Sequence, residues 1–213
     1  MSAAAIIAPQ VWLDSRLALV HAEQRWMAVA DLHFGYEVSQ RARGWLVPFW
    51  GMEMIAGRLR ELIADYQPQK LLLVGDIVHC SLAEPAAVGF VSELGQLGPE
   101  IVLIRGNHDR HLQTVRLADE HRIGGYRFYH GHLPLPPLAG VVDVIGHFHP
   151  CWKFSNGTGT RLRAPALVET GGKLILPAFS PWAAGATVHL EEPHRMWICS
   201  KNRVFPIPIN RPR

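Results

Sequence analysis

Aspartate, asparagine and histidine side chains follow five short apolar segments of this 213-residue sequence. They are Asp31 and His33, Asp76, the run Asn107-His108-Asp109, His130 and His132, and His147 and His149. Carboxylate, amide and imidazole groups suit borderline divalent ions such as manganese, iron or zinc. One ion cannot use this many ligands, whereas two ions about 3.5–4 Å apart can share a bridging carboxylate. The residue types therefore predict a centre of two divalent ions, with manganese expected and iron or zinc as alternatives.

Each of these motifs also has an ordinary structural explanation when it is taken alone. Asp31 could cap a helix, His33 could lie on the surface, and Gly75-Asp76 is a common turn. Asn107 and its preceding glycine also fit a turn, and His130 could be a hydrogen-bonded polar residue. We favour the metal centre because these explanations would have to hold independently at five places.

The apolar segments that precede the motifs predict buried β-strands. They span residues 25–30, 70–74, 101–104, 126–129 and 141–145. Apolar residues recur at three- and four-residue steps from Met52 to Tyr66, which predicts a helix. Residues 85–97 and 110–121 predict two more helices. Because strands alternate with helices, we expect an α/β domain whose strands end at one crevice.

The spacing within two motifs adds a prediction about side-chain direction. In extended chain, residues two apart point to the same side. The motifs at residues 31–33 and 147–149 would then each present two ligands together. Leu32 and Phe148 would be turned away from the ions, and we expect Phe148 to face the core.

The two ends of the chain are predicted to be β structure. Residues 11–14 and 17–21 indicate an N-terminal hairpin. After Pro150, short strand-like segments broken by glycine and proline indicate an antiparallel portion that closes the fold; they are 160–169, 173–179, 186–192, 195–201 and 203–209. No long polar linker interrupts the sequence, so we expect a single domain over residues 1–213.

The composition limits the class of protein. Hydrophobic residues make up 48% and charged residues 18% of the chain, which predicts a packed core. A net charge of +3 is only weak support for a nucleic acid partner. No apolar run reaches the roughly 18 residues of a membrane helix, and the N-terminus lacks the basic region of a signal peptide. Three cysteines that are far apart favour a reducing compartment, so we expect a cytoplasmic protein that does not bind membranes.

The order of the motifs resembles that of the calcineurin-like metallophosphoesterases. This resemblance implies an α/β fold, a four-layer αββα sandwich with two central mixed β-sheets flanked by helices. It also implies the ligand sets. Asp31, His33, Asp76 and His149 would hold one ion, and Asp76, Asn107, His130 and His147 the other.

The same resemblance implies a reaction and the residues that take part in it. A metal-bound hydroxide would attack phosphorus in line. Asn107 and His108 would contact the substrate, and His108 would protonate the leaving oxygen or stabilise the developing charge. Asp109 would orient His108 or the backbone, unless it is only a turn residue.

A closer similarity is to the bacterial DNA ligase-associated phosphoesterases. It is seen in "ADLHFG", "RARGWLVP", "GDIVH", "GHFHP" and "LILPAFSPWAAG". It implies a functional association with a DNA ligase and a helicase. Tyr36 stands where this group often has lysine. Arg41 and Arg43 would contact a substrate phosphate or be ordinary surface charge, and His79 would support the metal ligands or be solvated.

These features predict a phosphodiesterase that acts on nucleic acid or cyclic nucleotides, in the setting of DNA repair. A phosphomonoesterase for nucleotides or phosphoproteins would use the same metal centre. A non-catalytic scaffold of the same fold is disfavoured because every matched position is filled. The tryptophans of residues 41–50 could stack on bases or belong to the core.

Overall fold

A computed structural model of the chain describes residues 4–183, 185–186 and 194–210. These residues form a six-stranded sheet, an eight-stranded sheet and three α-helices. None of the described helices is long and apolar enough to cross a membrane.

The six-stranded sheet is built by the first half of the chain, in the sequential order β1 to β6. Its strands are β1 (Ala4–Ala8), β2 (Val11–Asp14), β3 (Ala18–His21), β4 (Trp26–Val29), β5 (Lys70–Val74) and β6 (Glu100–Ile104). Strands β1 to β4 pair antiparallel, which confirms the predicted hairpin of β2 and β3. Strands β4, β5 and β6 pair in parallel, so their carboxyl ends lie at one edge.

The helices connect the parallel strands of this sheet. They are α1 (Tyr36–Ala42), α2 (Gly51–Tyr66) and α3 (Glu84–Gln96). The apolar face predicted for α2 is buried at Ile55, Leu59 and Leu62 and joins the main core. Pro85 lies in the first turn of α3, where its missing N–H breaks no hydrogen bond. The predictions for α2 and α3 are confirmed, whereas α1 was not predicted.

The eight-stranded sheet is built by the second half of the chain. Its strands are β7 (His121–Ile123), β8 (Tyr126–Tyr129), β9 (Val142–Ile145), β10 (Cys151–Ser155), β11 (Arg161–Thr170), β12 (Lys173–Ile175), β13 (His194–Ser200) and β14 (Arg203–Asn210). Strands β8, β9 and β12 pair in parallel and the others antiparallel, as predicted for most of the C-terminal part. The strand predicted at 186–192 lies, after residue 186, outside the described residues.

The two sheets share one apolar core. The Trp26 ring from β4 makes edge contacts with Tyr126 and Phe128 from β8, at centroid distances of 5.2 and 5.0 Å. Trp26 and Phe128 are completely buried. Such aromatic pairs bury a large apolar area and fix the sheets against each other. The molecule is therefore an α/β sandwich of two mixed sheets with helices, as the fold prediction states.

The helix predicted at residues 110–121 is wrong. Only Asp109–His111 forms a single 3-10 turn. Further on, Ala118 accepts a hydrogen bond from the Arg105 N–H and donates one to the Leu103 carbonyl. These bonds hold the chain extended against the end of β6, so a helix cannot continue there.

A buried ion pair joins β8 to β9 in the eight-stranded sheet. The Arg127 guanidinium donates two hydrogen bonds to the Asp143 carboxylate, at 2.7 and 2.9 Å. We expect Asp143→Asn to lower the free energy of unfolding by about 3 kcal/mol, because it leaves a buried guanidinium without its counter-charge. Urea denaturation checks this value. The control is Asp119→Asn in the exposed pair with Arg105, which should cost less than about 1 kcal/mol. Equal losses in the two variants would contradict the prediction.

Candidate metal centre

The predicted ligand residues meet where strands of both sheets end. Asp31, Asp76 and Asn107 follow β4, β5 and β6 of the six-stranded sheet. His130 and His147 follow β8 and β9 of the eight-stranded sheet. The crevice therefore lies between two sheets, and not at the edge of one open sheet as the strand pattern alone suggested.

One group of possible ligands consists of Asp31, His33 and His149, whose ligand atoms all lie within 4.8 Å of one another. The His149 Nε2 atom lies 3.3 Å from Asp31 Oδ1 and 3.4 Å from His33 Nε2. Asp31 is fully buried, and both of its carboxylate oxygens accept the His147 N–H at 3.0 Å. This bond fixes the end of one sheet to the end of the other.

A second group consists of Asp76, His130 and His147, again with ligand atoms within 4.8 Å. The His130 Nε2 atom lies 3.4 Å from Asp76 Oδ2 and 3.2 Å from Asn107 Oδ1. Its Nδ1 atom lies 3.2 Å from the Val74 carbonyl oxygen. A proton on Nδ1 would donate to this carbonyl and leave Nε2 with a lone pair for an ion.

Asp76 lies between the two groups. Its Oδ2 atom is 3.8 Å from His33 Nε2 in the first group and 3.4 Å from His130 Nε2 in the second. Its Oδ1 atom accepts the His108 N–H at 2.9 Å. Burial alone would raise the pKa of Asp76, but the contacts with His130 and His108 lower it well below its usual range. The side chain is therefore an anion in the position that a bridging carboxylate requires.

Electrostatics also favour ligation by His33. Burial lowers the pKa of its imidazole to about 3, although the negative charge of Asp76 acts to raise it. The ring is therefore neutral near pH 7, which is the form that binds a metal ion. Burial also lowers the pKa of His147. The donor set of carboxylates and imidazoles in two groups thus fits two divalent ions.

The backbone at the candidate ligands differs from the extended chain that the spacing argument assumed. Positive φ angles of 44° to 69° occur at five of them, which are Asp31, His33, Asp76, His147 and His149. Side chains two apart still converge, but they do so through left-handed turns after the strands end. The premise of extended backbone was therefore wrong. Asp, Asn and His are the non-glycine residues most often found in this conformation.

Leu32 is completely buried, but Phe148 is not. The Phe148 side chain is 41% exposed, so the prediction that it faces the core was wrong. The left-handed turns at His147 and His149 direct the intervening residue outward. Phe148 contacts the His147 ring edge-on at a centroid distance of 5.3 Å.

Glycines allow the segments to approach closely. A Cβ atom on Gly106 would lie 2.1 Å from the Asp76 backbone nitrogen. A Cβ atom on Gly146 would lie 2.8 Å from Asp31 Oδ2. Any larger residue at these positions would push a candidate ligand out of place.

His108 and His79 lie beside the first ligand group. The His108 ring meets the His33 ring at a centroid distance of 5.0 Å and stacks on His79 at 5.4 Å. The His79 Nδ1 atom lies 3.3 Å from His33 Nδ1, the nitrogen of His33 that faces away from Asp76 and His149. His79 is thus in position to hold the His33 ring.

Asp109 is buried beneath the loop that carries His108. Its carboxylate accepts the backbone N–H groups of Ile77, Val78 and Gly106, at 2.7 to 3.0 Å. Its hydrogen bonds therefore fix the backbone after β5 and β6, which is one of the two roles expected for it.

The remaining predicted residues lie around the centre. Arg41 donates a hydrogen bond to the Val47 carbonyl and packs over the Phe49 ring, so it holds its own loop. The charge of Arg43 contributes to lowering the pKa of His79, after burial and His108, so Arg43 lies near the centre. The His132 ring lies 5.3 Å from the His130 ring, and its buried Nδ1 atom has no hydrogen-bond partner in the described part of the chain.

A row of aromatic rings that the sequence motifs did not predict leads to the centre. Trp50 packs on Trp182 at a centroid distance of 4.6 Å, and Trp182 stacks on Tyr36 at 5.6 Å. Tyr36 then contacts His79 at 4.9 Å. Trp182 lies more than 100 residues from the others, so only its presence in the "SPWAAG" segment could have pointed to it.

Two comparisons with known proteins gave matches. A sequence model of the family described as calcineurin-like phosphoesterase matches residues 25–204. Among solved structures, the crystal structure of Pseudomonas putida nuclease MPE matches with a TM-score of 0.77 and 25% sequence identity. The match covers 97% of this chain and 100% of that chain. A search of curated proteins gave no match.

Proposed function

This chain belongs to the calcineurin-like phosphoesterase family, a family of metal-dependent phosphoester hydrolases; within it, we propose that the chain is a phosphodiesterase that cleaves nucleic acid. The observation that supports a two-metal hydrolase is the position of Asp76 between two groups of imidazole and carboxylate ligands.

The two groups define the proposed ligand sets. Asp31, His33, Asp76 and His149 would hold one ion, and Asp76, Asn107, His130 and His147 would hold the other. Two ions, which we propose to be manganese, would lower the pKa of water and neutralise charge on the phosphoryl oxygens. The Asp31 and His130 side chains are buried and fixed by backbone contacts, so the protein itself orients these two ligands.

His108 is the proposed catalytic residue that is not a ligand. Its backbone N–H is bound to Asp76, so its ring is fixed next to the ligands while it remains only half-buried. A ring in this position can donate a proton to the leaving oxygen of the substrate. Asn107 and Arg43 are exposed beside it and are proposed to contact the phosphate, whereas Arg41 supports the loop.

Two observations favour a nucleic acid over other phosphodiesters. The matched structure from Pseudomonas putida is a nuclease. In addition, the row of rings from Trp50 through Trp182 to Tyr36 ends at the candidate centre. Aromatic side chains of this kind can stack on the unpaired bases of a strand.

Paired chromogenic substrates test the proposed reaction. With manganese, we expect the protein to hydrolyse bis-p-nitrophenyl phosphate, a diester, with a higher kcat/KM than p-nitrophenyl phosphate, a monoester. Elemental analysis of the same preparation should give two divalent ions per chain. Exclusive turnover of the monoester would contradict the proposal and indicate a phosphomonoesterase. No turnover of either substrate would indicate a scaffold.

The similarity to ligase-associated phosphoesterases supports a further part of the proposal, namely a functional association with a DNA ligase and a helicase in DNA repair. Capture of a DNA ligase by the tagged protein would test it. We propose that the protein acts in the cytoplasm, since Cys80, Cys151 and Cys199 are free thiols suited to a reducing compartment.

A further inference from the structure

A pocket of about 240 Å³ opens beside the candidate ligand His149. Arg58 from α2 and Arg163 from β11 line it, together with Ser180 and apolar residues. No described residue that lines this pocket is acidic. A cavity with two guanidinium groups next to a phosphoesterase centre suits an anionic group of the substrate.

Arg58 is held in this pocket by a hydrogen bond and a ring contact, and not by a close ion pair with a described residue. Its guanidinium donates to the Phe179 carbonyl at 3.1 Å and packs over the Phe179 ring. Among the described residues, no carboxylate lies within 4.0 Å of it. Burial lowers the pKa of Arg58, and the negative charge of Glu61 offsets this effect only in part. A half-buried cation in this state gains from binding an anion.

The pocket continues into a second one of about 450 Å³. The two share Arg58 and Arg163, and the second also contains Lys201 and Arg16. Arg16 is neutralised by Asp14 and Asp65, whereas the exposed Lys201 makes no ion pair with a described residue. The described lining of the second pocket also has no acidic residue. We call the two pockets together the basic groove.

We propose that the basic groove binds consecutive phosphates of a single nucleic acid strand next to the bond that is cleaved. Arg58 and Arg163, which line the pocket beside His149, take the nearer phosphate, and Lys201, which lines the second pocket, takes the next one along. A cyclic nucleotide has one phosphate and would occupy only the first position. The inference rests on the proposed function, because it adds a binding site for the strand to the proposed centre.

The test measures binding apart from hydrolysis. A fluorescein-labelled oligothymidylate with phosphorothioate linkages, which resist cleavage, is titrated with the full-length protein and followed by fluorescence anisotropy. The variant Arg163→Gln/Lys201→Gln changes two exposed side chains, so folding should be retained, and a thermal melt verifies it. The matched control, Arg60→Gln/Arg122→Gln, removes two exposed charges outside the groove.

The groove variant should bind the oligonucleotide about tenfold more weakly than the control. The slope of the logarithm of its binding constant against the logarithm of the salt concentration should fall in magnitude by about 1.4, the value for two lost contacts to a single strand. Cyclic AMP should not displace the probe at an equal phosphate concentration. The inference is overturned if the wild-type protein does not bind the probe, if the two variants bind equally, or if cyclic AMP competes as well as unlabelled oligonucleotide. Hydrolysis of bis-p-nitrophenyl phosphate, measured in parallel, tests the proposed function separately. If the protein binds the strand but does not hydrolyse this diester, the proposed hydrolase function is refuted and the proposed basic groove is supported.

Discussion

The variant Asp76→Asn is expected to lose its bound metal and about a thousandfold in kcat for bis-p-nitrophenyl phosphate. The Asp76 carboxylate lies between both ligand groups, so its loss weakens both ion sites at once. Stabilisation of transition-state charge by metal ions is worth several kcal/mol, which corresponds to a loss of about three orders of magnitude. Elemental analysis and steady-state kinetics measure the two effects.

Asparagine is the suitable replacement because it removes the negative charge of Asp76 and changes little else. It has the same shape, tolerates the left-handed backbone at this position, and can still accept the His108 N–H. The control is Asp119→Asn, which changes an exposed carboxylate. If Asp76→Asn kept both ions and the wild-type rate, the bridging assignment would be wrong.

The variant His108→Ala is expected to retain its metal but to lose about 10²- to 10⁴-fold in kcat on an oligonucleotide, the usual contribution of a positioned general acid. The ring lies beside His33 and is not part of either proposed ligand set. Nearby His111, which contacts Arg110, provides the control variant His111→Ala.

The choice of leaving group separates the two roles considered for His108. A p-nitrophenolate ion departs without a proton, whereas the alkoxide of a nucleic acid strand needs one. A general acid should therefore matter much less for bis-p-nitrophenyl phosphate than for the oligonucleotide. Equal losses on both substrates would indicate that His108 stabilises charge. Loss of metal from His108→Ala would refute its assignment as a residue outside the ligand sets.

Much of the centre could be predicted from the sequence because its residues follow strands. Runs such as residues 70–74 are apolar enough to identify buried strands, and each candidate ligand comes within a few residues of a strand end. The positions of the strands, of the two long helices and of the candidate ligands along the chain can therefore be predicted from local sequence.

Other features depend on tertiary structure and left no pattern in the sequence. The segment around Ala118 has a helical composition but pairs with the end of β6. Phe148 is apolar, yet the turns on either side direct it to solvent. The basic groove combines Arg58, Arg163 and Lys201, which come from distant elements, so charge patterning could not reveal it.

The left-handed backbone at five candidate ligands has a consequence for protein design. A left-handed backbone conformation costs an ordinary L-residue roughly 1–2 kcal/mol, so only a surrounding structure that fixes the turn can hold it. Grafting Asp31, His33 and His149 as side chains onto the regular strands of another scaffold would aim them in different directions. A transplanted centre would need the turns themselves, with Gly106 and Gly146, so the unit that can be transferred is the set of loops and not the list of ligands.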